Sequence, residues 1–225
     1  MVSKIGTATP WSYSSLSSYE TCPRRFYITR ISKLVTEKQT EATIHGNEVH
    51  KALENYVGNK APLAAKYESY RPIADKIRMA PGKKLLEYRF GLTKALTPTT
   101  FFASDVWVRG VLDVCVIQGI TGTILDYKTG KRKVDADQLK MFAGAALASW
   151  PYLESVKTGY LWLQTNQLDQ QEFTQADKPL IFQEFAARVR RMEMSEKNDD
   201  WPANPSGLCR EWCPVGRANC EHCGK

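Results

Sequence analysis

The chain contains no apolar run approaching the length that crosses a membrane, and Met1 to Ser15 hold no apolar core of signal-peptide length. A membrane partner and a cleaved leader are therefore not expected, and the expected location is cytoplasmic. No Gly-x-x-x-x-Gly-Lys-Ser/Thr phosphate loop occurs, so a fused nucleotide-driven motor of that type is not expected. No internal repeat is visible either.

What is present is a chain of 225 residues, 43% hydrophobic and 24% charged, able to bury one good core and without the composition of a disordered segment. Its 31 Lys and Arg against 24 Asp and Glu leave a net charge of +7, with a pI near 9.1. That balance favours a polyanionic partner, through phosphate contacts and counterion release. Six cysteines in a reducing compartment point to metal ligation rather than disulfides, above all because four fall within the last seventeen residues.

The patterning alternates helices and strands. Serines at 12, 14 and 15 offer N-caps for a short helix carrying Leu16 and Tyr19, broken at Cys22-Pro23 and followed by a basic helical turn with Phe26 and Tyr27. Ile44, Val49, Leu53, Tyr56 and Val57 mark an amphipathic helix from Thr40 to Val57, stopped by Gly58-Asn59. A less regular helix runs from about Ala64 to Met79, and a strand from Leu85 to Leu92 sets Glu87 and Arg89 on one face. Strands Trp107–Ile117 and Thr121–Lys128 follow, then a helix from about Ala136 to Ser149, a strand Lys157–Gln164 and a helix Gln175–Met194. The order describes an α/β or α+β domain with a mixed central sheet. Residues 198–208, with Pro202, Pro205 and Gly207, read as a linker to the cysteine-rich tail.

The two central strands form one β-hairpin whose apolar runs are each interrupted by an acid, Asp113 in Gly110-Val111-Leu112-Asp113-Val114 and Asp126 in Thr123-Ile124-Leu125-Asp126-Tyr127-Lys128. A period of two places Asp126 and Lys128 on one face. Charges buried on a strand are costly, so such a cluster commonly meets a metal or a substrate; a structural ion pair at a strand end is the plain alternative.

These residues, with Tyr13-Ser14-Ser15-Leu16, Cys22-Pro23-Arg24-Arg25-Phe26-Tyr27, His45-Gly46-Asn47-Glu48-Val49-His50, Asp126-Tyr127-Lys128-Thr129-Gly130 and Gln138-Leu139, appear in an order that resembles the PD-(D/E)XK nucleases of the RecB-like branch, which includes the CRISPR adaptation nucleases and many phage exonucleases. The resemblance covers most of the chain and implies a restriction-endonuclease-like core. It implies Asp113 and Asp126 as carboxylate ligands of Mg²⁺ or Mn²⁺, with the Tyr127 backbone carbonyl added, since hard cations prefer oxygen. It implies Lys128 as the catalytic lysine, orienting or deprotonating the attacking water and stabilising charge on the phosphate. His50, ending Gly-x-x-x-His, corresponds to the branch's extra metal ligand, a core histidine beside Leu53 and Val57 being the alternative. Glu87 corresponds to the acid on the preceding strand, or is simply a solvent-facing strand acid. Gln138 corresponds to a glutamine that contacts the site or the DNA backbone, or is a surface residue at a helix start. The chain departs from the pattern at Phe142, where the family commonly has tyrosine, and at Leu112, where it has proline.

Cys22 with Cys209-x3-Cys213-x6-Cys220 resembles the layout of members that hold a [4Fe-4S] cluster. The additional Cys223 makes Cys209, Cys213, Cys220 and Cys223 a self-sufficient set suited to structural Zn²⁺, so cluster and zinc both stand as expectations. Cys115 reads as a buried thiol. Arg24, Arg25, Lys131, Arg132 and Lys133 are candidate phosphate contacts, and Trp11, Trp107 and Trp212 candidate stacking surfaces. A single nuclease domain is expected over 1–225, as a helical segment with Cys22 (1–35), a catalytic core (36–197) and a cysteine-rich tail (198–225). The resemblance implies a metal-dependent DNA exonuclease acting on single strands or duplex ends in recombination, repair or phage DNA metabolism, in a bacterial or phage-infected cell. Its partners would be DNA and a recombinase, single-strand-binding protein or helicase. The competing class is a non-catalytic or partner-dependent DNA-binding subunit.

Overall fold

The computed structural model describes residues 9–132 and 136–224, and Lys133 of the basic stretch lies outside them. The chain divides into two compact units, one of residues 1–39 with 184–225 and one of residues 40–183.

In the first unit, α1 (Tyr13–Thr21) begins with a capping box in which the Ser12 hydroxyl accepts from the Ser15 amide while the Ser15 hydroxyl accepts from the Ser12 amide. Pro23 cannot continue a helix, so the chain restarts as α2 (Pro23–Phe26) and a π-helical turn (Tyr27–Ile31). Chain-terminal segments remote in sequence meet within this unit. Arg188 binds Glu20 at 2.7 Å, the Tyr19 hydroxyl donates to the Arg191 carbonyl at 3.0 Å, and Trp201 stacks on Tyr27 at 5.3 Å.

The second unit opens with α3 (Glu41–Val57), capped by the Thr40 side chain, then a 3-10 turn (Ala65–Tyr70) and α4 (Arg71–Met79). Six strands follow the order β2-β1-β3-β4-β5-β6: β1 (Lys83–Leu92), β2 (Pro98–Thr99), β3 (Val108–Gln118), β4 (Thr121–Lys128), β5 (Ser155–Trp162) and β6 (Gln167–Thr174). Only β4 and β5 run parallel, and the connection between them is α5 (Asp137–Ser149). The expected mixed sheet flanked by helices is therefore what forms. Val49, Leu53, Tyr56 and Val57 of α3 bury against Val114, Tyr127 and Leu161, whereas Leu139 of α5 packs on Tyr160 and Trp162. Successive β4 and β5 residues alternate faces, so α3 and α5 cover opposite sides of these strands.

The final helices are α6 (Lys178–Asn198), which begins three residues later than its periodicity predicts, and α7 (Leu208–Glu211). Ile181, Phe185, Val189 and Met192 are buried as expected. Two strands have no counterpart in the sequence reading. β2 is two residues long, and β6 is an edge strand of mostly exposed polar residues that carries no apolar alternation.

Candidate active site

The β3–β4 ladder runs from Gln118↔Thr121 to Val114↔Leu125 and stops one residue short of Asp113 and Asp126. Where the strands part, the Tyr127 amide donates to Asp113 Oδ2 at 2.8 Å. The carboxylate thus takes the place of a missing ladder acceptor, and a backbone donor is satisfied by a side chain that stays at the opening.

Asp126 is 5% exposed and faces α5. Lys128 Nζ lies 2.6 Å from Asp126 Oδ2 and donates to Gln138 Oε1 at 3.1 Å. The Gln138 amide donates in turn to Asp126 Oδ1 at 3.0 Å, and the Tyr160 hydroxyl donates to Gln138 Oε1 at 3.2 Å. The lysine also sits 4.7 Å from the Tyr160 ring centre. One amide therefore ties the acid to the base, using donor and acceptor in the senses each partner requires. Burial, and next the charge of Asp113, raise the Asp126 pKa, with Lys128 pulling it back.

On the α3 side, His50 Nδ1 lies 3.3 Å from Asp113 Oδ2 and Nε2 lies 3.0 Å from the Tyr127 carbonyl. Burial lowers the imidazole pKa, and the Asp113 and Asp126 carboxylates more than offset it, so the net shift is upward. Ligand atoms of His50, Glu87 and Asp113 all lie within 4.8 Å of one another. Asp126 is outside that set, turned toward Lys128 and Gln138. Burial, then the Asp113 charge, raise the Glu87 pKa. Two carboxylates with an imidazole and a backbone carbonyl beside them form an oxygen-rich donor set that a hard divalent cation fits.

Glu87 occupies this set through an unusual backbone, at φ +48° in the middle of β1. Leu86 packs with the α3 and α4 cluster, yet Tyr88 lies 5.4 Å from Trp150 at the end of α5 and Phe90 lies 6.4 Å from Phe142. The strand exchanges faces at Glu87, so strict alternation with Arg89 does not hold. A non-glycine residue there costs on the order of 1–3 kcal/mol, and such strain is commonly found at functional sites.

Among the residues nominated from sequence, His50, Glu87, Asp113, Asp126, Tyr127, Lys128 and Gln138 come together. Of the nominated arginines, Arg24 pairs with Glu221 at 2.7 Å, Arg25 with Glu37 at 2.9 Å and Arg132 with Asp169 at 2.5 Å. Lys131 is exposed. Trp11 is fully buried and stacks on Phe185 at 5.6 Å, which removes it as a surface for bases. Tyr160 was missed by sequence reasoning. Its signal is the β4–β5 register, which sets it opposite Asp126, and its hydroxyl reaches Gln138 while Phe142, at the position of the family's tyrosine, is core.

In the first unit, Cys22, Cys209, Cys213, Cys220 and Cys223 all line one small cavity together with His222. The Asn204 amide donates to Cys22 Sγ and the Ser206 amide to Cys209 Sγ, each at 3.4 Å. Burial raises the Cys223 pKa, and its hydrogen bonds with Cys213 and Cys220 raise it further. Cys115 is buried in β3, and burial alone pushes its thiol up to about 12, as suits an inert group.

A mixed sheet whose parted central hairpin carries two acids and a lysine, beside a further acid and a histidine, defines the restriction-endonuclease-like class of folds. The chain belongs to the PD-(D/E)XK nuclease superfamily, whose family model matches residues 10–221. This is a superfamily of hydrolytic nucleases that act on DNA with divalent metals. No curated protein matches the chain. A solved structure described as the crystal structure of SSO0001 aligns over 98% of this chain and 90% of its own, with 13% identity and a TM-score of 0.49, a likeness too slight to argue from.

Proposed function

We propose that the chain is a metal-dependent deoxyribonuclease of the RecB-like branch, an exonuclease acting on single strands or duplex ends in recombination, repair or phage DNA metabolism. The observation that carries this reading is the Asp126–Gln138–Lys128 network standing beside the His50–Glu87–Asp113 set. His50, Glu87, Asp113, Asp126 and the Tyr127 carbonyl would hold Mg²⁺ or Mn²⁺. When bound, the cation would polarise the scissile phosphate and lower the pKa of the attacking water. Lys128, held in place by Asp126 and Gln138, would orient that water and offset negative charge gathering on the phosphate. Asp113 fixes the Tyr127 backbone, so that its carbonyl keeps its direction.

The cysteine cavity supports a [4Fe-4S] cluster held by Cys22, Cys209, Cys213 and Cys220. The hydrogen bonds of Cys223 with Cys213 and Cys220 favour a second reading, structural Zn²⁺ held by the four tail cysteines. Anaerobically purified protein is expected to be brown and to lose colour in Cys22→Ser, whereas colourless protein with one zinc rejects the cluster. For the nuclease itself, Asp126→Ala should remove cleavage of end-labelled DNA while leaving DNA binding largely intact. A variant that cleaves normally would reject the assignment.

A further inference from the structure

The arginines nominated from the sequence are each engaged by a carboxylate, yet two others on the strands of the candidate site are not. Arg89 stands two residues beyond Glu87 on β1, and Arg109 four residues before Asp113 on β3. At about 3.3 Å per residue these offsets are roughly 7 and 13 Å along the strands. The pairings Arg89↔Val111 and Gly91↔Arg109 make the two arginines diagonal neighbours. Among the described residues neither forms an ion pair, so their charge is not cancelled.

Both instead lie over aromatic rings in the turn between β2 and β3. The Arg89 guanidinium carbon is 5.6 Å from the Phe101 ring centre, and that of Arg109 is 5.0 Å from Phe101 and 5.8 Å from Phe102. The two rings meet edge to face at 4.9 Å. Arg109 also donates to the Phe101 carbonyl at 3.3 Å, which fastens the turn to β3. The nearby acid, Asp105, is occupied by the Thr99 hydroxyl at 3.0 Å. Phe102 is nevertheless 74% exposed. A large apolar ring held outward by a turn braced with unneutralised guanidinium groups has the composition of a base-stacking platform: the π-face takes a base and the cations take the adjoining phosphates.

We propose that Phe102, backed by Phe101 and flanked by Arg89 and Arg109, binds unpaired nucleotides of a DNA single strand next to the candidate active site. The proposal rests on the nuclease reading for its substrate, and it names the surface that holds the strand while a neighbouring bond is cleaved. Stacking accounts for affinity without base preference, and the arginines account for salt dependence. Duplex DNA, whose bases are already stacked, gains nothing from Phe102.

The test is binding of a fluorescent single-stranded oligonucleotide, and of a blunt duplex, in an Asp126→Ala background without added Mg²⁺ or Mn²⁺ so that no cleavage occurs, with folding of each variant checked by thermal unfolding. Phe102→Ala is expected to weaken single-strand binding about ten-fold and to leave the duplex unchanged. Arg89→Gln with Arg109→Gln should flatten the dependence of log K on log salt by about 0.7 for each phosphate that is no longer neutralised. A folded Phe102→Ala protein that binds the single strand as tightly as wild type, or that loses both substrates equally, overturns the platform. Asp113→Ala separates the two ideas. It should keep single-strand binding and lose cleavage, and an Asp113→Ala protein that still cleaves sinks the nuclease assignment whatever Phe102 does.

Discussion

The two metal-binding candidates of this chain are built in opposite ways. In the unit of residues 40–183, the site's side chains are tied to one another: the Gln138 amide links Asp126 with Lys128 and Tyr160, and Asp113 is anchored on the Tyr127 amide. In the other unit, five thiols and His222 surround a small cavity whose buried apolar support, beyond the cysteines themselves, is Ile28 and Val215. A site of the first kind is organised before any metal arrives, and so spends little on reorganisation when it works. A site of the second kind draws its cohesion from what it binds, because weakly hydrogen-bonding thiols replace the apolar groups a core would need. Perturbing the first should cost chemistry, and perturbing the second should cost folding.

The largest effect is expected from the thiols. If the cysteines hold the proposed cluster or zinc, Cys220→Ser should release it and lower the unfolding midpoint by about 10 °C, the scale of several kcal/mol in a chain of this size. Calorimetry of wild type, variant and chelator-treated protein checks this, and an unchanged midpoint would erase the contrast. Next is Gln138→Ala, which frees both Asp126 and Lys128 and should lower kcat about 100-fold with the midpoint within a few degrees of wild type. Steady-state cleavage beside a melt reads both numbers. Tyr160→Phe removes one hydrogen bond to Gln138 while keeping the ring beneath Lys128, so a loss of roughly five-fold in kcat is expected. The smallest effect concerns backbone strain. Glu87→Gly relieves the φ of +48°, offsetting about 1 kcal/mol, so the midpoint should not fall even as the metal concentration needed for half-maximal cleavage rises.

Much of this architecture is legible in the sequence where a period is reinforced by a cap or a breaker. Helix α3 announces itself through Thr40, its apolar stripe and Gly58, and the β3–β4 hairpin through two apolar runs around Gly119. Asp113, Asp126 and Lys128 were legible because charge inside such runs is costly and therefore conspicuous, whereas His50, Glu87, Gln138 and the Tyr127 carbonyl were nominated only through the family resemblance. Edge strand β6 was not, since a strand with little to bury has no alternation to display. Nor was the exchange of faces at Glu87, which depends on one dihedral angle rather than on a residue type. The carboxylate partners of Arg24 and Arg132 are remote in sequence and so could not be read from their charge runs, and the closeness of Arg89 and Arg109 shows only once the strands pair.

The most direct measurement is degradation of end-labelled single- and double-stranded DNA by metal-replete protein with Mg²⁺ or Mn²⁺, comparing wild type with Lys128→Ala. Metal-dependent cleavage by wild type, lost by at least about 10³-fold in a variant that melts like the parent, is the predicted result. Equal cleavage by both proteins, or none by the wild type, would contradict it.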